Sequence, residues 1–398
     1  MNLRKVKLTD FCLVSIVLIA TGFFQLFSIS LDSVRTIEAI IIVFFSLFYI
    51  ITNLAIISKV DEKYVLVFFI IVIIGLVNSI QRFNFSFVES IYSIRPYLWI
   101  LLVYPLTGMV MNEGTEHVFK CVLYPYMFML FFRLLSFIAF NVFHFSLFPN
   151  IIQEYGSLWM RNSSIARVDV TGLMFINLVF AYFLYYKTHE TKFEFFLVFI
   201  FICNLVIAEY RSMIIASILS IVAMIFFTKY RSVSISTLLI VIAIIITGLA
   251  VRWFLLSDAN TLQYRYYEFN YYRKLIDYHP WFGMGLLSTM NMNTNFILHG
   301  NLDTQMYIVD LGVMNSIVQV GIIGTLILYI PVFWKLISSL IKSVKDKDRQ
   351  WAILISGILF YLLPASILQD LFAEKAIVAL PFLLCILNIY KLNQLQKR

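Results

Sequence analysis

The chain carries 14 arginines and 16 lysines, and the two cations are not distributed alike. Ten arginines (Arg35, Arg82, Arg95, Arg133, Arg161, Arg167, Arg211, Arg252, Arg265 and Arg273) fall on one side of the membrane topology argued below, where the only lysines are Lys274 and Lys375. The opposite side carries 14 Lys and 4 Arg. Topology needs positive charge on the inner side and is indifferent to which cation supplies it. A guanidinium offers a planar fork of donors that fits phosphate oxygens and keeps its charge when partly desolvated. An outer side sparing with Lys and rich in Arg therefore suits a phosphate-bearing ligand. Arg95 and Arg133 sit half-way along apolar spans, and Arg211 lies at a tight outer junction. A central Arg costs about 2.5–3.5 kcal/mol on insertion scales, so each should face a partner or a wet cavity. The structural alternatives are snorkelling, or pairing with an acid such as Glu209.

Proton-transfer candidates are fewer. Asp310 stands at the outer end of an apolar helix, where a carboxylate can act as a base or simply cap the helix. His279 and His299 lie in the same outer segment. The stretch from Leu262 to Trp281 has the pattern of an amphipathic helix stopped by Pro280, with Arg265–Glu268 and Arg273–Asp277 spaced to pair along it. Nine aromatics between Tyr264 and Phe282 suit either an interfacial helix or platforms for sugar rings. Gly283 and Gly285 are not a dinucleotide fingerprint, because no strand precedes them. No metal spacing is visible: Asp346 and Asp348 are on the inner side, and Cys12, Cys121, Cys203 and Cys385 lie in apolar runs as packing residues.

The elements that must position these groups follow from composition. Of 398 residues, 61% are hydrophobic, 17% aromatic and 13% charged, where a soluble domain has roughly a quarter charged. Apolar runs of about 20 residues are long enough to cross a hydrocarbon core of about 30 Å as helices. No open sheet could satisfy its backbone there. The expected fold is a single all-α polytopic domain over 1–398, with about twelve spans, at 11–30, 36–58, 64–80, 87–111, 121–143, 170–186, 195–210, 212–228, 233–254, 311–334, 351–369 and 376–390. The segment 11–30 reads as a retained span rather than a cleaved signal. Lys335, Lys342, Lys345, Lys347 and Arg349 anchor the inner side, which places both termini inside. Two outer loops are long, 144–169 and 255–310, the second between spans nine and ten. Loops of that length in a compact architecture are usually functional. The inner loops are too short for a nucleotide-binding domain, and no Gly-x-x-x-x-Gly-Lys loop occurs. The formal charge of +8 is spread between spans, which argues against nucleic acid as a partner.

Three segments resemble the bacterial O-antigen polymerase and ligase superfamily. Tyr210-Arg211-Ser212-Met213 before an apolar helix is similar to its Ser-Arg-Gly-Ala junction. Arg265, fifteen residues before Pro280 of HPWFGMG, is similar to its Arg, loop helix, Pro-x-x-Gly-x-Gly pattern. Asp310, eleven residues before Gly321 of VGIIG, falls where ligases carry His-Asn before a helix ending in Glu-x-Gly-x-x-Gly. Here Asp310 replaces the His, Leu311 the Asn and Gln319 the Glu, which favours a repeat-unit polymerase over a ligase. The resemblance covers about residues 160–330 and implies a GT-C-type fold in the bacterial cytoplasmic membrane. It implies a metal-independent glycosyltransferase without a cofactor, whose donor is an undecaprenyl-pyrophosphate-linked oligosaccharide. The product would be capsule, exopolysaccharide or O-antigen, with a flippase and a chain-length regulator as possible partners. On that reading Arg211 and Arg265 stabilise the leaving pyrophosphate and Asp310 is the base. Arg95, Arg133, Arg161, Arg167, Arg273, His279 and His299 are substrate-binding candidates, the two histidines also reserve bases. The competing readings are a ligase and a flippase. A flippase usually shows repeat symmetry with charge in both halves, whereas here one long loop lies off-centre.

Overall fold

The computed structural model describes residues 8–27, 31–148, 199–200, 202–204, 207, 211–229, 259–299, 308–368, 370–373 and 376–396. Within these, the side chains of 31–33, 211–214, 228–229, 259–265, 309–310, 367–368 and 396 are outside the description. Every regular element among the described residues is helical. In chain order the α-helices are α1 (Leu8–Ala20), α2 (Leu31–Thr52), α3 (Glu62–Phe83), α4 (Phe87–Ile94), α5 (Val103–Glu113), α6 (Thr115–Phe143), α7 (Arg211–Lys229), α8 (Ala259–Tyr278), α9 (Met292–His299), α10 (Val313–Lys345), α11 (Arg349–Leu368) and α12 (Leu380–Gln396).

Six helical segments are long and apolar enough to cross a membrane: Val34–Thr52, Glu62–Phe83, Phe87–Glu113, Thr115–Phe143, Val313–Lys345 and Ile377–Leu395. They coincide with the spans expected at 36–58, 64–80, 87–111, 121–143, 311–334 and 376–390. The expected spans at 212–228 and 351–369 correspond to α7 and α11. The expected span at 11–30 is shorter. Its helix ends at Ala20, and Gly22, at φ 83°, turns the chain into a 3₁₀ segment over Phe23–Phe27. The spans expected at 170–186 and 233–254, most of 195–210 and nearly all of the 144–169 loop lie outside the described residues.

Burial sorts the helices into central and peripheral. On α3, Tyr64, Phe68, Ile71, Val72, Gly75 and Ser79 face inward at three- and four-residue intervals. Leu66, Ile70, Ile73, Ile74 and Val77 are exposed on the same helix. A continuous apolar outer face is disfavoured against water and is what lipid requires. By contrast α11 is apolar all round and buried nearly throughout from Trp351 to Leu362, as a helix surrounded by others must be. It packs against α7, where Ser220 Oγ donates to the Gly357 carbonyl at 2.7 Å and Met224 lies on the bare glycine surface. The span from Phe87 to Glu113 combines α4, a 3₁₀ turn over Arg95–Leu102 with Pro96 in its first turn, and α5.

Candidate functional site

Helix α10 is interrupted. Gly321 has φ 74° and ψ 176° between two helical pieces. Such a break frees carbonyls before it and N–H groups after it, and each freed group needs a partner inside a membrane bundle. The long loop supplies them. Met284 N–H donates to the Val318 carbonyl at 2.7 Å, and Gly285 N–H donates to that of Gln319 at 2.9 Å. In return Ile322 N–H donates to the Pro280 carbonyl at 2.8 Å, and Ile323 N–H to that of Trp281 at 3.2 Å. The Pro280–Leu286 segment thus plugs the gap in the helix.

The plug also holds α3. Leu286 N–H donates to the Gly75 carbonyl at 3.2 Å, and Ser79 Oγ donates to the Leu286 carbonyl at 2.8 Å. Two glycines permit the close approach. Gly283 has φ 67°, and a Cβ there would lie 2.5 Å from the Gln319 carbonyl and from the Gly321 nitrogen. A Cβ on Gly321 would collide with the Trp281 carbonyl. The sequence shows these glycines in separate motifs; the structure sets them back to back.

Polar side chains surround the plug. Arg82 Nη1 donates to the Gly283 carbonyl at 2.6 Å, and Asn78 Nδ2 donates to that of Phe282 at 3.2 Å. His279 is half-buried nearby. Burial, with the Arg82 charge adding to it, holds its imidazole below the usual histidine range. Next along the chain, Ser86 and Glu89 form a capping box at the start of α4. Asn291 Nδ2 donates to Glu89 Oε1 at 2.9 Å, so the same box that starts the helix docks the loop.

Beneath the plug runs a buried hydrogen-bonded chain. Gln319 Oε1 accepts from Leu287 N–H at 3.2 Å and from the Tyr97 hydroxyl at 3.5 Å. Gln319 Nε2 donates to Asn315 Oδ1 at 2.8 Å, and Asn315 Nδ2 donates to Asp370 Oδ2, also at 2.8 Å. Asp370, 1% exposed, accepts further bonds from Ser316 Oγ at 2.8 Å, the Tyr329 hydroxyl at 2.7 Å and Phe372 N–H at 2.9 Å. A carboxylate is costly in an apolar interior, and this number of donors is what makes it tolerable there. Asp370 therefore ties the connection between α11 and α12 to both pieces of α10.

The sequence-derived candidates fall around this site unevenly. Asp310 lies in the 3₁₀ turn Ile308–Leu311, and Arg265 in the first half of α8; both side chains are outside the description. Their elements do meet. Ile308 packs with Tyr272 of α8 and with Met314 and Val318 of α10 in one small cluster, and the Tyr272 hydroxyl donates to the Ile297 carbonyl at 2.8 Å. Helix α8 runs over Ala259–Tyr278, against an expected 262–281, with Tyr266, Tyr267 and Tyr278 exposed. Arg211 begins α7, and its side chain too is outside the description. Arg161 and Arg167 are outside the described residues altogether.

Arg273 and His299 are exposed. Arg95 is buried, with Nη1 donating to Thr36 Oγ1 at 3.3 Å and its guanidinium 4.8 Å from the centre of the Tyr92 ring. Arg133, 1% exposed, donates through Nη2 to the Thr21 carbonyl at 2.7 Å and to Gln25 Oε1 at 3.5 Å. It thereby covers the carboxyl end of α1, a favoured place for a cation. These contacts are structural partners of the kind a buried Arg requires.

Arg82 is one of the ten arginines that the sequence reading assigns to the outer side, with nothing there to set it apart. The Ser86-x-x-Glu89 capping signal was visible in the sequence but had no reason to be linked to Asn291. Asp370 carried no signal beyond being an acid between two apolar runs.

No family model matches this chain, and no curated protein matches it. The apolar outer faces, the six long helices and the internally satisfied helix break decide its class. This is a helical, multi-pass membrane protein.

Proposed function

We propose that the protein is a membrane glycosyltransferase that joins lipid-pyrophosphate-linked oligosaccharide repeat units, as a polymerase of capsule, exopolysaccharide or O-antigen. The observation that carries this reading is the interrupted α10 filled by Pro280–Leu286. Non-helical backbone within a membrane bundle is tolerated where it is enclosed by protein or lines a polar cavity. Here it is filled by the segment that follows His279 and the amphipathic α8, and Arg82 of α3 donates to that segment at Gly283. The proposal includes a GT-C-type bundle of about twelve spans in the bacterial cytoplasmic membrane, with the long loop on the outer face and both termini inside.

In this reaction a hydroxyl oxygen of the acceptor repeat forms a bond to the anomeric carbon of the donor. The bond from that carbon to the pyrophosphate oxygen breaks, and the leaving group takes the electron pair. The hydroxyl proton passes to Asp310, with His299 and His279 as the reserves. Guanidinium groups of Arg211 and Arg265 offset the charge growing on the pyrophosphate. Arg95, Arg133, Arg161, Arg167, Arg273 and His299 are the proposed contacts to the rest of the substrate, although the partners of Arg95 and Arg133 also suit a structural role. No metal or cofactor is part of the scheme.

The test is incubation of the purified chain with undecaprenyl-pyrophosphate-linked repeat units, resolved by gel. A ladder of lengths is expected. Transfer only to an added foreign acceptor would make it a ligase. The broken helix also suits a flippase, because discontinuous helices commonly form transporter sites. If no glycan product forms but labelled lipid-linked oligosaccharide crosses the bilayer of proteoliposomes, the flippase reading replaces the enzyme.

A further inference from the structure

At the end of the bundle away from the plug, a second group of chemistry-bearing side chains converges. The span that starts at Phe87 beside the plug finishes at Glu113, and Gly114 turns the chain directly into α6. His117 and Cys121 are four residues apart on α6 and share one face, and Glu113, the last residue of α5, reaches the same face across the Gly114 turn. The first turn of α1 packs there and adds Asp10. His117 Nε2 lies 3.0 Å from Asp10 Oδ1 and 2.8 Å from Glu113 Oε2. Cys121 Sγ is 3.8 Å from the same nitrogen. The ligand atoms of Asp10, His117 and Cys121 all lie within 4.8 Å of one another.

A single N–H on this nitrogen cannot serve both carboxylates. An imidazole nitrogen carries at most one hydrogen, in the ring plane, and can direct it at one acceptor. Two carboxylate oxygens gather on this one atom, and the Cys121 thiol stands beside them. A divalent ion at the centre satisfies all of them. Zinc bonds of about 2.0–2.3 Å place neighbouring ligand atoms about 3.3–3.8 Å apart in a tetrahedron. The observed separations need only small side-chain shifts to reach that geometry. One imidazole, one thiolate and carboxylates form a set that zinc accepts readily, whereas calcium and magnesium prefer oxygen alone. The side chains are 29% exposed at His117 and 13% at Asp10, so an ion can enter.

We propose that Asp10, His117 and Cys121 bind a zinc ion, with Glu113 beside the fourth position. The site fastens α1 to the turn between α5 and α6, and it stands apart from the proposed glycosyl-transfer chemistry.

The experiment uses the purified full-length chain, stripped with chelator and titrated with Co2+ as a spectroscopic probe. One equivalent is expected to bind, with the intense visible bands of tetrahedral cobalt and a thiolate charge-transfer band, both erased by added Zn2+. Cys121→Ser is expected to lose the charge-transfer band and to weaken binding by more than about tenfold. His117→Gln is expected to abolish binding, and Cys385→Ser to leave it unchanged. Zinc should raise the melting temperature of the unaltered chain but not of His117→Gln. The proposal is overturned if the monodisperse, unaltered chain gives no cobalt bands. It is equally overturned if those bands persist unchanged in Cys121→Ser and His117→Gln.

Discussion

At Asp370 a single side chain holds three parts of the molecule. Its two oxygens receive Asn315, Ser316, Tyr329 and the Phe372 N–H, all in the interior. Removing the carboxylate strands those donors, and each buried donor left unmet costs about 1–3 kcal/mol. Asp370→Ala should therefore lose on the order of 3–5 kcal/mol, seen as a marked fall in melting temperature in detergent. Asp370→Asn keeps one acceptor oxygen and should lose less. Equal stability of all three chains would show that the hydrogen bonds are not made.

His279 gives a prediction in pH. Its folded pKa is lowered, first by burial and then by the Arg82 charge, from an ordinary 6.5. The unfolded chain therefore binds the proton first as pH falls. The contribution of this group to stability is intact above about pH 6.5 and declines as pH drops below it. Arg82→Gln removes one of the two causes and should move the imidazole titration upward, measurable by NMR of labelled histidine. For the proposed reaction, Arg211→Ala or Arg265→Ala should abolish chain extension while the folded protein remains in the membrane. Full-length polymer from either variant would remove that residue from the mechanism.

Among the elements, α10 and the loop segment before it depend on each other. The backbone at Gly321, with φ 74° and ψ 176°, costs a residue with a Cβ about 1–3 kcal/mol, before any collision is counted. With the collision at Trp281 added, Gly321→Ala should destabilise by roughly 3 kcal/mol or more. Gly283→Ala should behave alike. Because a Cβ at Gly283 would press on the Gly321 nitrogen, the double variant should lose less than the sum of the two single losses. Melting curves of the four chains measure this, and strict additivity would mean the two sites do not touch. The glycines of HPWFGMG and VGIIG could be picked out in sequence, since each follows a recognisable punctuation of Pro or of an apolar run. Their pairing could not. It spans 38 positions from Gly283 to Gly321 and is made by backbone atoms, which every residue possesses.

For the whole molecule, lipid is the solvent that the exposed faces of α2, α3 and α6 require. Ile37, Ile40, Phe44, Phe48 and Ile51 on α2 are all exposed. The protein should accordingly stay with the membrane pellet through an alkaline carbonate wash. Release into the supernatant would contradict the burial pattern. Sidedness has its own measurement. Single cysteines placed at exposed positions in 288–299 should react from outside the cell with an impermeant maleimide. Cysteines placed within 345–349 should react only after the membrane is opened. The reverse result would invert the topology and separate the arginine-rich side from an outer substrate.

The sequence by itself determined that this chain is helical and membrane-embedded, where its six membrane-length helices among the described residues run and which segment is a long loop bearing an amphipathic helix. Those features are set by local composition and by a helical period close to 3.6, so they survive without any knowledge of what packs against what. The tertiary structure alone decided that the loop re-enters to fill a break in α10. It likewise decided that Asp370 anchors both pieces of that helix and that Asp10 meets His117 and Cys121. Each of these joins residues from distant parts of the chain. Desolvation and hydrogen-bond demand, which act only between groups brought together in space, select such partners, and no local pattern records them.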